Sequence, residues 1–498
     1  MLPLVPLCDI ILENFICGGL IFMDWGTALI TVALTTLALS YAWGMRGLVI
    51  GGEKGAMLPG AYLGLLLAWF SGSEVIQQNF WLFAAAGALS MFFGGSETYG
   101  QTLGFVLHPD RRLGSRMKGY IGVALKGALW FGLSGTALGM MFSAAAGMYK
   151  WYDIVIMTVL TPVAQLLGVR VFNYPFNKAK GVFPTIYFSV DRREEWGGNL
   201  ATVILLVTFV CMRSDDLALI LGFAGAAGGA LGWVIALKLY DLCSKPLKNG
   251  RYILGSLSEK GYVDGWKIME FVLGAFGGFV ISLFYCLKFD RVAVRIDCIE
   301  TAGIWSPAVG FEPWISVAAF AVLMLSVLQY AAAYAKKRDV EGDFFEDSHT
   351  LDLIERPLYY LLPLMAVLLG NVNTGKLISG FVIYWVAVEK TAFGGRLDGY
   401  KNKKCVRAIL LASALLLLGV EIVSGGLSIA VTWLLYGLPY LAMEFVFAFS
   451  PEKRRLMREN GGGIKGLKAQ LGSAVTVYPF FILQITVLYV CGLLLFMR

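Results

Sequence analysis

Long apolar segments follow one another along nearly the whole chain, and short polar breaks separate them. Most segments approach the roughly 20 apolar residues that a helix needs to cross a bilayer, and their apolar residues do not alternate with a period of two. Because a backbone in lipid must pair its polar groups internally, this pattern favours helices over a transmembrane barrel. It predicts an all-α polytopic membrane protein with about fourteen transmembrane helices, at 26–45, 56–72, 79–95, 119–147, 153–172, 198–212, 217–238, 268–287, 313–334, 357–371, 376–389, 407–424, 425–448 and 475–497.

Two parts of this pattern leave alternatives open. The spans 357–371 and 376–389 are short enough to form a re-entrant hairpin instead of two crossings. Residues 1–24 form an apolar N-terminal segment that contains Asp9 and Glu13 but no Lys or Arg. A secretory signal opens with a positive segment, so we interpret residues 3–22 as either an interfacial helix or an additional span.

Basic residues predict the orientation of the chain. Loops rich in Lys and Arg alternate with short loops that contain few, and basic loops accumulate on the cytoplasmic side. Fourteen spans then place both termini outside, and fifteen place the N-terminus inside. We attribute the net charge of +7 to orientation and lipid headgroup contact rather than to nucleic-acid binding, and we expect a bacterial inner membrane protein. The basic loops are 45–55, 106–118, 173–196, 238–267, 335–356, 390–407 and 451–470.

The polar segment 241–267 divides the predicted spans into two groups of seven. It acts as a cytoplasmic connector between a first transmembrane half, 25–240, and a second half, 268–498. An odd number of crossings inverts the second half relative to the first, which is the arrangement of inverted-topology repeats in secondary transporters. The spacing therefore predicts two seven-helix halves of opposite topology.

Glycine is frequent, with 59 residues, and many lie four apart. This spacing allows helix backbones to approach closely in lipid. Glycines also allow a helix to unwind and expose its backbone to a ligand, and the sequence leaves both interpretations open. The spaced glycines are Gly47/Gly51/Gly55, Gly60/Gly64, Gly100/Gly104, Gly135/Gly139, Gly225/Gly229, Gly228/Gly232 and Gly274/Gly278.

Composition agrees with a membrane protein and narrows its chemistry. Apolar residues make up 58% of the chain and charged residues 15%, whereas soluble domains carry roughly 25% charge. The eight cysteines form no CxxC pair, and the two histidines, His108 and His349, lie in predicted loops. No P-loop or nucleophile-elbow motif is present, so we predict neither a cofactor nor a metal site.

Two polar clusters stand beside glycine-rich backbone on one predicted side of the membrane. The first, at 43–60, combines charged side chains with flexible backbone, and the second, at 94–104, follows about 44 residues later with the same Gly-Gly-then-Glu order. Polar groups at membrane depth are costly unless they are paired or used. We expect these clusters to bind substrate or the coupling ion, through Arg46, Glu53, Lys54, Glu97, Thr98, Tyr99, Gln101 and Thr102.

Lys126 stands alone inside a predicted span and completes this primary set. It could neutralise Glu53 or Glu97, or contact an anionic substrate. The loop 173–199 is rich in aromatic residues and prolines, which predicts an ordered lid on the bundle or an interfacial segment. Secondary candidates are charged or polar residues near span ends: Arg170, Glu195, Trp196, Asn199, Glu389, Arg396, Asp398 and Glu444.

These observations favour a secondary transporter or permease for a small polar or anionic solute, coupled to H⁺ or Na⁺. Its partners would be membrane lipids and the solute, and either a second copy or another subunit. The alternatives are a membrane-embedded enzyme that acts on a lipid or isoprenoid at the cytoplasmic interface, and a structural subunit of a membrane complex. A central polar cavity would favour transport, and a groove open to lipid would favour the enzyme.

Overall fold

The computed structural model describes residues 23–49, 55–95, 99–107, 113–177, 180–189, 194–244, 249–250 and 265–304, together with Glu459. Within these ranges most of the chain is helical, the longest non-helical part lies between Phe172 and Trp196, and the only extended pairing is an isolated bridge between Asn177 and Val182. The helices are α1 Trp25–Val49, α2 Met57–Trp69, α3 Glu74–Gln78, α4 Phe80–Gly94, α5 Tyr99–Leu107, α6 Leu113–Ala145, α7 Trp151–Phe172, α8 Trp196–Met212, α9 Asp216–Ser244, α10 Gly265–Leu287 and α11 Phe289–Ala302.

Five of these helices, α1, α6, α7, α9 and α10, are long and apolar enough to cross a membrane. The helices α2, α4 and α8 are apolar but shorter. The prediction of an all-α membrane protein is confirmed at this level, and each predicted span between 26 and 287 coincides with a helix. The count of fourteen stays a prediction, because the spans from 313 onward lie outside the described residues.

Three helices appear between the predicted spans. The helix α11 begins after the predicted span 268–287, α5 lies within the polar cluster 94–104 and runs into the basic loop 106–118, and α3 lies between the predicted spans 56–72 and 79–95. In addition, α6 begins at Leu113, before the predicted start at 119. This extra turn is stabilised by polar partners beyond the apolar segment, since Arg116 pairs with Asp241 at 2.5 Å.

Glycines provide the closest contacts between antiparallel helices. A Cβ atom added to Gly135 of α6 would lie 2.0 Å from the carbonyl oxygen of Leu221 in α9, and one added to Gly64 of α2 would lie 1.9 Å from that of Phe83 in α4. A Cβ atom at Gly274 of α10 would lie 2.3 Å from the carbonyl oxygen of Leu39 in α1. The packing interpretation of the spaced glycines is confirmed at these positions.

Gly135→Ala is expected to lower the free energy of unfolding by about 1–3 kcal/mol, because the new methyl group would overlap a backbone carbonyl that cannot move alone. Gly132→Ala in the same helix is the matched control, since its Cβ atom would lie 3.3 Å from the Cβ atom of Ala226. Both changes improve helix propensity equally. Thermal unfolding of the purified proteins in one detergent measures the difference, and equal midpoints would contradict the packing role.

The helices α4 and α5 lie in succession along one neighbour, α6. Ser90 donates to Ser134 at 3.2 Å, Gly94 lies against Trp130, and Thr102 lies 2.9 Å from Lys126. The contacts therefore keep one antiparallel direction on both sides of Gly95, where α4 ends. The two helices therefore follow the same side of α6 in sequence, with α4 ending at Gly94 and α5 beginning at Tyr99.

A charged network joins α11 to two turns, α6–α7 and α8–α9, at the C-terminal end of α6. Asp215 is fully buried and accepts hydrogen bonds from Tyr149 at 2.5 Å and Ser143 at 2.8 Å. Arg295 of α11 binds Asp216 at 2.7 Å and lies 3.4 Å from Asp215. Burial raises the pKa of the Asp215 carboxyl group. Burial also raises the pKa of the Tyr149 hydroxyl group, and the negative charge of Asp215 raises it further. The network therefore holds α11 against the bundle.

Candidate functional site

A buried ion pair lies in the N-terminal half of α6, where α5 packs against this helix. The ammonium group of Lys126 donates to Glu194 Oε1 at 2.5 Å and to Thr102 Oγ1 at 2.9 Å. The Lys126 side chain is fully buried and that of Glu194 is 3% exposed. Desolvating two charges is costly unless further hydrogen bonds complete the pair. The backbone N–H of Phe188 supplies one, to Glu194 Oε2 at 2.5 Å.

The three groups that meet here come from different parts of the fold. Thr102 lies on α5, Lys126 lies on α6, and Glu194 lies in the non-helical segment before α8. A second buried pair, Lys267 with Glu270, is built differently, because both residues belong to α10. Of these two buried pairs, the Lys126–Glu194 pair joins a long helix to a non-helical segment, and the Lys267–Glu270 pair does not.

Aromatic side chains pack the described part of 173–199 onto α6. Phe188 packs edge-to-face on Trp196 with ring centroids 5.7 Å apart, and Lys118 lies over the ring of Tyr187 at 3.5 Å. A Cβ atom added to Gly122 of α6 would lie 2.7 Å from Phe188 Cβ, so glycine lets this segment approach the helix. These contacts confirm an ordered segment on the bundle, while its role as a lid stays a prediction.

Side chains also donate hydrogen bonds to backbone carbonyl groups near the end of α4. Asn199 of α8 donates to the carbonyl oxygen of Gly94 at 3.3 Å, and Trp130 donates to that of Met91 at 2.6 Å. The last carbonyls of a helix lack intrahelical partners, so Asn199 caps the carbonyl of Gly94, and Trp130 adds a second hydrogen bond to the Met91 carbonyl, which also accepts from the N–H of Gly95. Asn199, a predicted secondary residue, therefore contacts the end of α4.

The other predicted residues are placed as follows. The side chain of Arg170 is exposed at the end of α7, 6.0 Å from the ring centroid of Tyr174. Glu195 is buried and its carbonyl accepts from the first turn of α8, while Trp196 is buried against Phe172 and Phe188. Arg46 belongs to α1, and Tyr99 and Gln101 belong to α5. The residues outside the described ranges are Glu53, Lys54, Glu97, Thr98, Glu389, Arg396, Asp398 and Glu444.

The sequence interpretation did not select two residues that the fold makes important. Glu194 provides the observed carboxylate for Lys126, whereas the neighbouring Glu195 was the chosen candidate. Gln165 of α7 is fully buried, and neither its Oε1 nor its Nε2 atom has a hydrogen-bond partner. An amide in an otherwise apolar helix was the available signal for Gln165. No local pattern distinguishes Glu194 from Glu195.

The described residues contain no group of three or more His, Cys, Asp or Glu side chains that could hold a metal ion. The site chemistry visible here is therefore that of an ammonium–carboxylate pair, hydroxyl and amide groups, and helix-end carbonyls. Comparison with protein-family models, with curated proteins and with solved structures finds no match to this chain.

Proposed function

We propose that the chain is a secondary transporter that moves a small polar or anionic solute across the membrane, coupled to H⁺ or Na⁺. The observation that carries this proposal is the Lys126–Glu194 pair. Its ammonium group is fully buried in a helix long enough to span a membrane, and its carboxylate comes from a non-helical segment.

The ammonium group and the carboxylate of this pair can separate and bind other partners without the unfolding of a helix. Protonation of Glu194, or the arrival of a solute group at Lys126, would release the segment around Phe188 from α6. The Lys267–Glu270 pair lacks this freedom, because its residues stay three positions apart on one helix. Release of the segment would couple an ionisation or binding event to a change of access.

The sequence between α4 and α5 supports the same proposal. In transporters, discontinuous helices provide contacts for solutes and ions. Glu97 falls between α4 and α5 in sequence, and α5 contributes Thr102 to the contacts of Lys126. Glu53 and Glu97 remain the proposed coupling carboxylates.

The proposed orientation follows the basic loops. Arg116 pairs with Asp241 near the N-terminal end of α6, in the same half of this helix as Lys126, and Arg116 and Asp241 belong to segments that the positive-inside rule assigns to the cytoplasm. The proposed site would thus be nearer the cytoplasmic face of a bacterial inner membrane.

Glu194→Gln is expected to abolish gradient-driven uptake, because the amide keeps a hydrogen-bond acceptor but cannot carry or exchange the charge. Wild-type protein and the variant are reconstituted into liposomes with an imposed proton or sodium gradient. Uptake of phosphate, acetate, alanine, glycerol, acetamide and glucose is then followed by isotope accumulation. We expect at least a tenfold lower initial rate for the variant with the solute that the wild type accumulates.

The matched control is Glu74→Gln, which changes an exposed carboxylate of α3 and should leave uptake unchanged. Wild-type rates in Glu194→Gln would remove the pair from the mechanism. Failure of the wild type to accumulate any solute of the panel under either gradient would count against transport itself.

A further inference from the structure

We infer that the interface of α7 and α8 contains a binding site for a small uncharged solute with both hydrogen-bond donors and acceptors, and that Gln165 and Thr202 are its central contacts. This inference rests on the proposed function and narrows the solute from polar or anionic to uncharged. Its starting point is a group of buried polar atoms that have no hydrogen-bond partner.

Gln165 is the clearest member of this group. Its side chain is 0% exposed, and both atoms of its amide lack a partner. The Thr202 hydroxyl group also lacks a partner, and this residue is 1% exposed. Burial of an amide or hydroxyl group without a hydrogen bond costs about 1–3 kcal/mol by mutational data. Native proteins therefore pair nearly all such groups, and an unpaired one calls for a ligand or water.

The packing of α7 against α8 places Gln165 and Thr202 at one level. A Cβ atom at Gly168 would lie 2.1 Å from the carbonyl oxygen of Gly197 and 2.7 Å from Ala201 Cβ, and one at Gly198 would lie 2.8 Å from Gln165 Cγ. The two helices are therefore antiparallel and in close contact. Because residues four apart share one face of a helix, Thr202 follows Gly198 on the face that meets Gln165.

Further unpaired donors lie nearer the end of the same helix pair. The Oδ1 atom of Asn173 accepts from the N–H of Gly197 at 2.9 Å, which leaves its Nδ2 atom unpaired, and the indole N–H of Trp196 is unpaired as well. Asn173 is eight residues beyond Gln165, or about 12 Å along a helical axis. Unpaired polar groups thus follow the α7–α8 interface from its end toward Gln165.

The charge of this group decides the class of ligand. Its donors are amide and indole N–H groups and its acceptors are amide and hydroxyl oxygens, all of them neutral. Of the positive charges on neighbouring helices, Arg170 is exposed at the end of α7, beside the ring of Tyr174, and Lys126 on α6 is paired with Glu194 at 2.5 Å. An anion buried at Gln165 would lack a counter-charge, and an unpaired buried charge is far more costly than an unpaired amide. The chemistry therefore fits amides and polyols, which carry donors and acceptors without charge.

The test compares acetamide with acetate, which have similar shape but differ in charge. Thermal unfolding of the full chain in lipid nanodiscs is followed during titration with acetamide, glycerol, urea and acetate. For the wild type we expect acetamide or another uncharged probe to raise the midpoint in a saturable manner, and acetate to leave it unchanged. Gln165→Leu should lose this shift, and Thr202→Val should need at least a tenfold higher concentration for it.

Thr208→Val is the matched control, because Thr208 lies on the same helix but is exposed and its hydroxyl group is bound to the carbonyl oxygen of Ile204. The unfolding midpoint of Gln165→Leu without ligand is a further test of the site. Replacing an unpaired buried amide by a similar apolar side chain should preserve or raise the unfolding midpoint without ligand. A lower midpoint in the absence of ligand would assign Gln165 a structural role and overturn the inference.

Two other results would overturn the site. One is an acetate shift at lower concentration than any uncharged probe. The other is the absence of a shift with every uncharged probe, and a Gln165-dependent osmotic water permeability would then assign these groups to water alone. Failure of the proposed function looks different: saturable acetamide binding without gradient-driven uptake would keep the site and remove transport, whereas uptake unaffected by Gln165→Leu would remove the site and keep transport.

Discussion

Lys126→Met is expected to lower the free energy of unfolding by about 3–5 kcal/mol, because it leaves the buried carboxylate of Glu194 without its counter-ion. The 3% exposure of Glu194 prevents water from replacing the ammonium group. The same change removes a hydrogen bond to the hydroxyl group of Thr102. Denaturant-induced unfolding in detergent, followed by tryptophan fluorescence, measures the loss.

The double variant Lys126→Met/Glu194→Gln separates stability from function. Without either charge, the burial penalty disappears, and the amide oxygen introduced by Glu194→Gln can still accept from the N–H of Phe188, which binds the Glu194 carboxylate at 2.5 Å in the wild type. We expect the double variant to recover most of the lost stability but no gradient-driven uptake. A single variant as stable as the wild type, or a double variant that recovers uptake, would contradict the role proposed for this pair.

Lys267→Met is the matched control for Lys126→Met. It removes the ammonium group of the other buried pair, on α10, where Glu270 also accepts from the indole N–H of Trp266 at 3.0 Å. It should also destabilise the protein, and the double variant Lys267→Met/Glu270→Gln should recover both stability and uptake. The difference in uptake between the two double variants is the quantity that assigns function to Lys126 rather than to any buried pair.

Arg295→Met is expected to have an effect of similar size, about 3–5 kcal/mol, at the C-terminal end of α6. It removes the guanidinium group that binds Asp216 at 2.7 Å and approaches Asp215 at 3.4 Å. Asp215 is fully buried and would keep only neutral donors. Hydrogen exchange measured by mass spectrometry should show faster exchange of the α11 amides, together with a lower unfolding midpoint.

Arg295→Lys tests the geometry of this contact. Lysine keeps the charge but lacks the planar fork that reaches two carboxylates at once, so we expect a smaller loss than with methionine. Glu300→Gln is the control, because it alters an exposed carboxylate on the same helix. Unchanged protection of α11 in Arg295→Met would show that its apolar contacts, rather than the charged network, hold this helix in place.

The changes Lys126→Met and Arg295→Met act on different parts of the packed helix pair α6 and α9. The helices α6 and α9 are joined by close glycine contacts, with a Cβ atom at Gly127 lying 2.3 Å from the carbonyl oxygen of Gly229. Packed helices of this kind move as a body rather than bend, because small residues leave no slack between the backbones. Release of the Lys126 pair would therefore act on the segment and helices beside α6 rather than on α6 itself.

Local patterns were sufficient for the helices and for their contact faces. Apolar segments of sufficient length predict α1, α6, α7, α9 and α10, since the need to pair backbone groups in lipid leaves few other structures. Glycines four apart predict a close-packed face because that spacing is a property of one helix alone. The same local reasoning identified Thr102, Lys126 and Asn199 as polar side chains with a special environment.

Local patterns failed where short segments adopt structure through contacts made elsewhere. The helix α11 is amphipathic but sparsely apolar, so a search for apolar segments of membrane-spanning length does not find it. It is stabilised by Arg295, whose partner Asp215 is 80 residues away. The early start of α6 likewise depends on Asp241, 125 residues from Arg116.

The sequence by itself determined that this is a helical membrane protein, which faces of its helices pack through glycine, and which polar residues interrupt its apolar helices. Only the tertiary structure decided that Lys126 pairs with Glu194, 68 residues away, and that Gln165 is buried without a partner. The physical reason is that composition and spacing act within one helix, whereas the pairing of a buried charge or amide depends on how several helices are rotated against one another.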